Sequence, residues 1–124
     1  MHSFDYGIIR IVPRVERQEF INAGVIVLCP QQQYLACQIH FDEARLKALW
    51  PGADVDVVRS HLEAIERICA GSADGGPIAK LSVRERFHWL VAARSTIIQC
   101  SPVHTGVCDG AMDEVLDRMA AQFL

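Results

Sequence analysis

Seven consecutive residues, Ala23-Gly24-Val25-Ile26-Val27-Leu28-Cys29, carry no charged or hydrogen-bonding polar side chain apart from the terminal thiol. No other feature constrains the fold as tightly. The run is far below the ~20 residues that a membrane-spanning helix needs. An apolar residue at every position predicts a central strand covered on both faces. A second strand is predicted before it, from Phe4 to Val15, centred on Ile8, Ile9, Ile11 and Val12. Pro13 cannot donate to a ladder, so that strand is an edge there, or bulges or ends. The connector Glu16-Arg17-Gln18-Glu19 is charged and too long for a tight hairpin. After the polar turn Pro30–Gln33, the stretch Tyr34 to Phe41 alternates. Leu35, Cys37, Ile39 and Phe41 point one way, Gln38 and His40 the other. Three successive strands with short links predict an antiparallel meander.

Helices follow. Asp42 is placed to cap a short helix through Leu49, which stops at Trp50-Pro51-Gly52. Asp54 caps a longer one whose apolar stripe is Val55, Val58, Leu62, Ile65 and Cys69, with Glu63 and Arg67 paired on its outer face. Gly71 to Pro77 is a flexible loop. Ser82-Val83-Arg84-Glu85 is a capping box that opens a third helix. Val83, Phe87, Leu90 and Val91 turn inward there, and Trp89 falls on a different face. Arg94 to Cys100 reads as a fourth strand, and Ser101 to Gly106 as a loop or irregular extension. Asp109 is expected to cap the last helix, with its stripe of Met112, Val115, Leu116, Met119, Ala120 and Phe123. The whole is a single α+β domain over residues 1–124. Its sheet is mostly antiparallel with about four strands, in the order β-β-β-α-α-α-β-α, and its helices lie mainly on one face.

Charge and cysteine usage narrow the function classes. The chain is 51% apolar and 22% charged, which is globular composition. Its net charge of −3 gives no basic excess for nucleic acid or an anionic membrane. The N-terminus has no basic region of the kind that opens a targeting peptide, so a cytoplasmic location is expected. Five cysteines, an odd number, read as reduced, packed thiols. Cys100, His104 and Cys108 have the spacing C-x3-H-x3-C, with His40 as a conceivable fourth ligand. Zinc sites usually come from closer pairs, so neither a metal nor a cofactor is expected.

No catalytic signature is complete. Cys100, Ser95 or Ser101 with His104 would make a nucleophile and base, but nothing orients His104 and no G-x-S-x-G elbow occurs. Gly71 to Pro77 is no phosphate loop. Whether the protein is an enzyme stays open at this stage. The arginines are more informative. Arg10, Arg14 and Arg17 follow one another along the first strand and its connector, and Arg94 stands beside Ser95 and Thr96. If strands one and four are neighbours, Arg10, Arg17, Arg94, Ser95 and His104 form an anion site of forked donors. The simpler alternative pairs these arginines with acids such as Glu16 and Glu19. Trp50 closes the rim of the core, whereas Trp89 suits either that role or a partner anchor.

The stretch Tyr6-Gly7-Ile8-Ile9-Arg10-Ile11-Val12-Pro13-Arg14-Val15-Glu16-Arg17-Gln18-Glu19-Phe20-Ile21-Asn22-Ala23-Gly24-Val25 resembles the opening of the bacterial DUF3037 family, whose function is unknown. Arg86-Phe87, Arg94-Ser95-Thr96 and Ser101-Pro102-Val103-His104-Thr105-Gly106 are similar to later parts of that family. The resemblance implies a partner, because members are often encoded beside a kinase-like protein of the HipA type. An interaction or accessory module acting with such a kinase-like protein is therefore expected. The rival is a phosphate-ester or nucleotide-binding domain or enzyme that uses Arg10, Arg17, Arg94 and His104. A two-fold homodimer is also expected, with strands one and three as candidate edges and apolar surface at Trp89 and Phe123-Leu124.

Overall fold

The structure is a computed structural model that describes residues 1–124. Three strands come first: β1 (His2–Ile11), β2 (Ile21–Cys29) and β3 (Tyr34–Ile39). Three helices follow: α1 (Glu43–Leu49), α2 (Val55–Ala70) and α3 (Val83–Val91). The chain then returns to the sheet as β4 (Ile98–Cys100) and β5 (His104–Cys108), and ends in α4 (Met112–Phe123). The sheet order is β3-β2-β1-β4, with β5 also paired to β1, and every pairing is antiparallel.

The α+β class and the opening meander agree with the sequence. Three details differ. The sheet has five strands, because the segment expected as a loop after Ser101 contains most of β5. Arg94 lies in the loop before β4 and does not open that strand. The first strand is central and is no edge; the edges are β3 on one side and β4 with β5 on the other.

β2 is sealed on both faces, as its sequence demands. Val25, Val27 and Cys29 belong to a core built with Met112, Val115, Leu116 and Met119 of α4. Ile26 and Leu28 join the opposite core, which Leu46 of α1, Leu62 of α2 and Phe87 of α3 complete. Three helices thus cover one face and α4 alone covers the other. A bulge adjusts the strand. Ile9 faces Gly24 and Arg10 faces Asn22, so one step on β1 spans two on β2, and Ala23 is the extra residue. The bulge lets Ile21 and Ala23 enter the same core as Ile26 and Leu28 despite their odd spacing.

The caps follow the sequence at three helices. Asp42, Asp54 and Ser82 accept from the amides of Arg45, Val57 and Glu85. The fourth differs. α4 starts after Ala111 with no side-chain cap, and Asp109 pairs with the Met1 amino group instead. The ion pairs of α2 run from Arg59 to Glu43 and Asp56, not between Glu63 and Arg67.

Two close approaches hold the far side of the sheet. A Cβ on Gly7 would sit 2.5 Å from the Cys100 Sγ and 3.3 Å from a methyl of Val91. Only glycine lets β1 carry this thiol across its face. One residue further on, Ser101 N–H donates to the Ile8 carbonyl, and Ser101 Oγ accepts from the Ile8 amide at 2.9 Å. The ladder breaks here at Ser101-Pro102-Val103. The serine hydroxyl stands where a backbone carbonyl would otherwise pair with Ile8.

Two expected outcomes test this arrangement in chemical denaturation. Gly7→Ala destabilises the fold by about 1–3 kcal/mol, the usual cost of overpacking, and much of that loss is recovered in a Cys100→Ala background. Equal losses in both backgrounds would mean that the thiol is not what the added methyl meets. Ser101→Ala costs about 1–3 kcal/mol, because it strips the Ile8 amide of its acceptor. A change near zero would show that the amide is satisfied elsewhere.

Candidate functional site

Between α2, the end of α3 and the loop into β4 runs a groove of about 510 Å³. Its apolar lining comes from Ile65 and Ile68 of α2, Leu90 of α3, and Ile97 and Ile98 where the loop meets β4. Val15, just past β1, also contributes. The polar lining is His61, Arg94, Ser95 and Thr96, and Trp89 stands at the rim with 41% of its surface exposed. The volume falls in the range of ordinary ligand pockets.

Local chain chemistry puts these groups there. α2 ends in Gly71 at φ 68°, whose amide closes the last turn. α3 has no such residue: Ala92 turns straight into extended backbone. Its last carbonyls would be orphaned, and Arg94 reaches back to them. The guanidinium donates to Leu90 O at 3.1 Å and to Trp89 O at 2.5 Å, and lies 4.4 Å from the centroid of the Trp89 ring. Arg94 is therefore a helix cap made by a side chain. Two of the five N–H groups of a guanidinium are spent on carbonyls, so three remain. The hydroxyl of Ser95 is exposed with no partner, whereas Thr96 donates to the Ile98 carbonyl.

Arg94 and Ser95 are the two predicted anion-site residues that the groove brings together. The others lie elsewhere. Arg17 is in a 3-10 turn two residues beyond Val15, where its Nε meets Glu19 at 2.5 Å. That guanidinium holds the Glu19 carboxyl below its ordinary range. Arg14 likewise donates to Glu16, and its guanidinium carbon is 5.9 Å from the Trp50 ring. Both pairs are exposed, and such pairs add little stability. Arg10 and His104 lie on the opposite face of the sheet, the face that α4 covers at β2 and β3. Arg10 rests over Phe20 at 4.2 Å, and its Nε is buried with no acceptor. The His104 ring is 5.4 Å from that of Tyr6, which stacks on Phe123 of α4.

The break at Ser101-Pro102-Val103 explains the separation. Cys100 is opposite Ile9 and His104 opposite Tyr6, so three steps on β1 match four on its partner. Side chains alternate along a strand, and one extra residue exchanges the faces. Cys100 consequently points to the face that carries α3, and His104 to the opposite face, beside Tyr6. The nucleophile-and-base pairing of Cys100 with His104 is not formed. Burial pushes the Cys100 thiol up to about 11 despite nearby Arg10 and Arg94, which keeps it protonated near neutrality. Ser101 is buried and committed to the sheet. The same separation disperses the C-x3-H-x3-C residues, and no three His, Cys, Asp or Glu side chains gather to hold a metal ion.

His61 was not singled out from the sequence. The signal was present: His61, Ala64, Ile65 and Ile68 have helical spacing and share the face of α2 that lines the groove. The histidine continues an apolar face, where its polar type hides it from a pattern made of apolar residues alone.

Comparison with protein families matches residues 6–124 to the family described as Protein of unknown function (DUF3037). The chain belongs to that family. No curated protein and no solved structure matches it. The match runs from the middle of β1 to the end of the chain. The stretches that carried the resemblance have distinct structural duties. Arg94-Ser95-Thr96 borders the groove, whereas Ser101-Pro102 shifts the sheet register. No helix is long and apolar enough to cross a membrane.

Arg94→Ala should lower stability by about 1–2 kcal/mol, because two carbonyls at the end of α3 lose their donor. Arg94→Lys should recover only part of this, since an ammonium cannot fork across both carbonyls and stack on the indole. Thermal melts of the three proteins decide it, and identical midpoints would exclude the capping role.

Proposed function

We propose that this protein is an interaction module and that the groove beside Trp89 is its contact surface. One observation carries the reading: a half-exposed tryptophan, held in place by a stacked arginine, borders a mostly apolar groove. Aromatic and arginine side chains of this kind dominate binding energy at protein interfaces. A preset rotamer also lowers the ordering cost of association. The partner is a kinase-like protein encoded nearby, the association that the family resemblance implied. The protein then acts as an accessory to that kinase-like protein and not as an enzyme in its own right. In support, the lining of the groove is mostly apolar, as a contact surface requires.

Co-expression with the neighbouring kinase-like protein, followed by size exclusion, tests the reading. Co-elution is expected for the wild type. Trp89→Ala should weaken the complex by about 2 kcal/mol, the scale of an interface hot spot, without unfolding the exposed position. Separate elution of the wild-type proteins at high concentration, or full binding by Trp89→Ala, would overturn it.

A further inference from the structure

Charge is segregated around α2. His61, Ala64, Ile65 and Ile68 face the groove, while Glu63 and Glu66 face a separate hollow beside Ile39 and Phe41. No aspartate or glutamate lines the groove, although the chain carries fifteen acids and a net charge of −3. Three of its four polar side chains are able to donate, namely the Arg94 guanidinium, the His61 imidazole and the hydroxyl of Ser95, whereas Thr96 spends its hydroxyl proton on the Ile98 carbonyl. The loop adds more donors. The backbone amides of Arg94, Ser95 and Thr96, residues that line the groove, donate to no backbone carbonyl. Opposite this donor-rich end, the lining is Ile65, Ile68, Leu90 and Ile97.

We infer that the groove takes an acidic, apolar-anchored peptide segment of the partner: an aromatic or aliphatic side chain seated on the isoleucines, with an Asp or Glu beside it at Arg94 and Ser95. This inference rests on the groove being the contact surface, and it names the occupant. Complementary charge sets orientation and excludes basic segments. A small inorganic anion would use only the donor end and leave the apolar lining uncovered. A neutral apolar segment would leave the guanidinium and the loop amides unmatched. A peptide that supplies both features covers the groove along its length.

The guanidinium also caps α3, so Arg94→Ala would mix folding with binding. The side chains of Ser95 and His61 are exposed and line the groove, so Ser95→Glu and His61→Glu each add a negative charge there without touching the cap. The experiment selects twelve-residue peptides from a random library on the immobilised full chain, then measures fluorescence polarisation of the enriched peptides at low and high salt. Enriched peptides are expected to share an acidic residue next to an aromatic or aliphatic one. Their affinity should fall about tenfold with Ser95→Glu and with His61→Glu, and also with salt. Trp89→Ala should weaken them as well. Enriched peptides that need Trp89 but are neutral or basic, or that ignore both Glu substitutions, overturn the inference and leave the contact surface standing. Absence of enrichment, or peptides indifferent to Trp89→Ala, overturns both.

Discussion

Val25, Val27 and Cys29 leave β2 on one side and Ile26 and Leu28 on the other, and water reaches almost none of them. Burying five such side chains stabilises the fold by several kcal/mol, at roughly 1.5–3 kcal/mol for each large aliphatic one. It also sets a geometric condition. A sheet with this strand at its heart must be covered twice, although the chain lays down three of its four helices before it returns to the sheet edge. The condition is met only if the last segment crosses to the other face. The pairing of β4 and β5 along one side of β1, with a residue inserted between them, accompanies that crossing.

The insertion accounts for most of what the site looks like. Ser101 gives up its side chain to the Ile8 amide so that Pro102, which has no N–H, can stand in the break. Up to Cys100 the strand belongs to the core under α2 and α3. From His104 onward it belongs to α4. The groove is built wholly on the first side, from residues that precede the break. The aromatic cluster of Tyr6, His104 and Phe123 is built on the second. A sheet lies between them.

Much of the fold was legible because it depended on local chemistry. The apolar run of β2, the caps at Asp42, Asp54 and Ser82, and the stripes of α2 and α4 each follow from side-chain type and period. What was not legible depended on register. Alternation carried from Cys100 places His104 on the same face, and only the paired partner reveals the extra residue. The bulge at Ala23 hides in the same way. Asp109 looked like a cap because its type is right, but the start of α4 falls at Ala111 and the carboxylate finds the chain's own amino group. Arg94 looked like the start of a strand because Ile97 and Ile98 follow. Its true position is set by the unclosed end of α3, a demand that arises only once the helix exists. The pairs Arg14–Glu16 and Arg17–Glu19 were the simple alternative at the outset, and local spacing is enough to produce them.

The cap on α3 has one more consequence. Where a glycine stops a helix, as Gly71 stops α2, it has no side chain to offer to anything else. Here the stop is a guanidinium that faces the surface with donors to spare. Any sequence drift at this position is therefore judged twice, once by the folding of α3 and once by whatever the groove meets. Ser95 and His61, which carry no such double duty, are where recognition can diversify between related proteins without a toll on the scaffold.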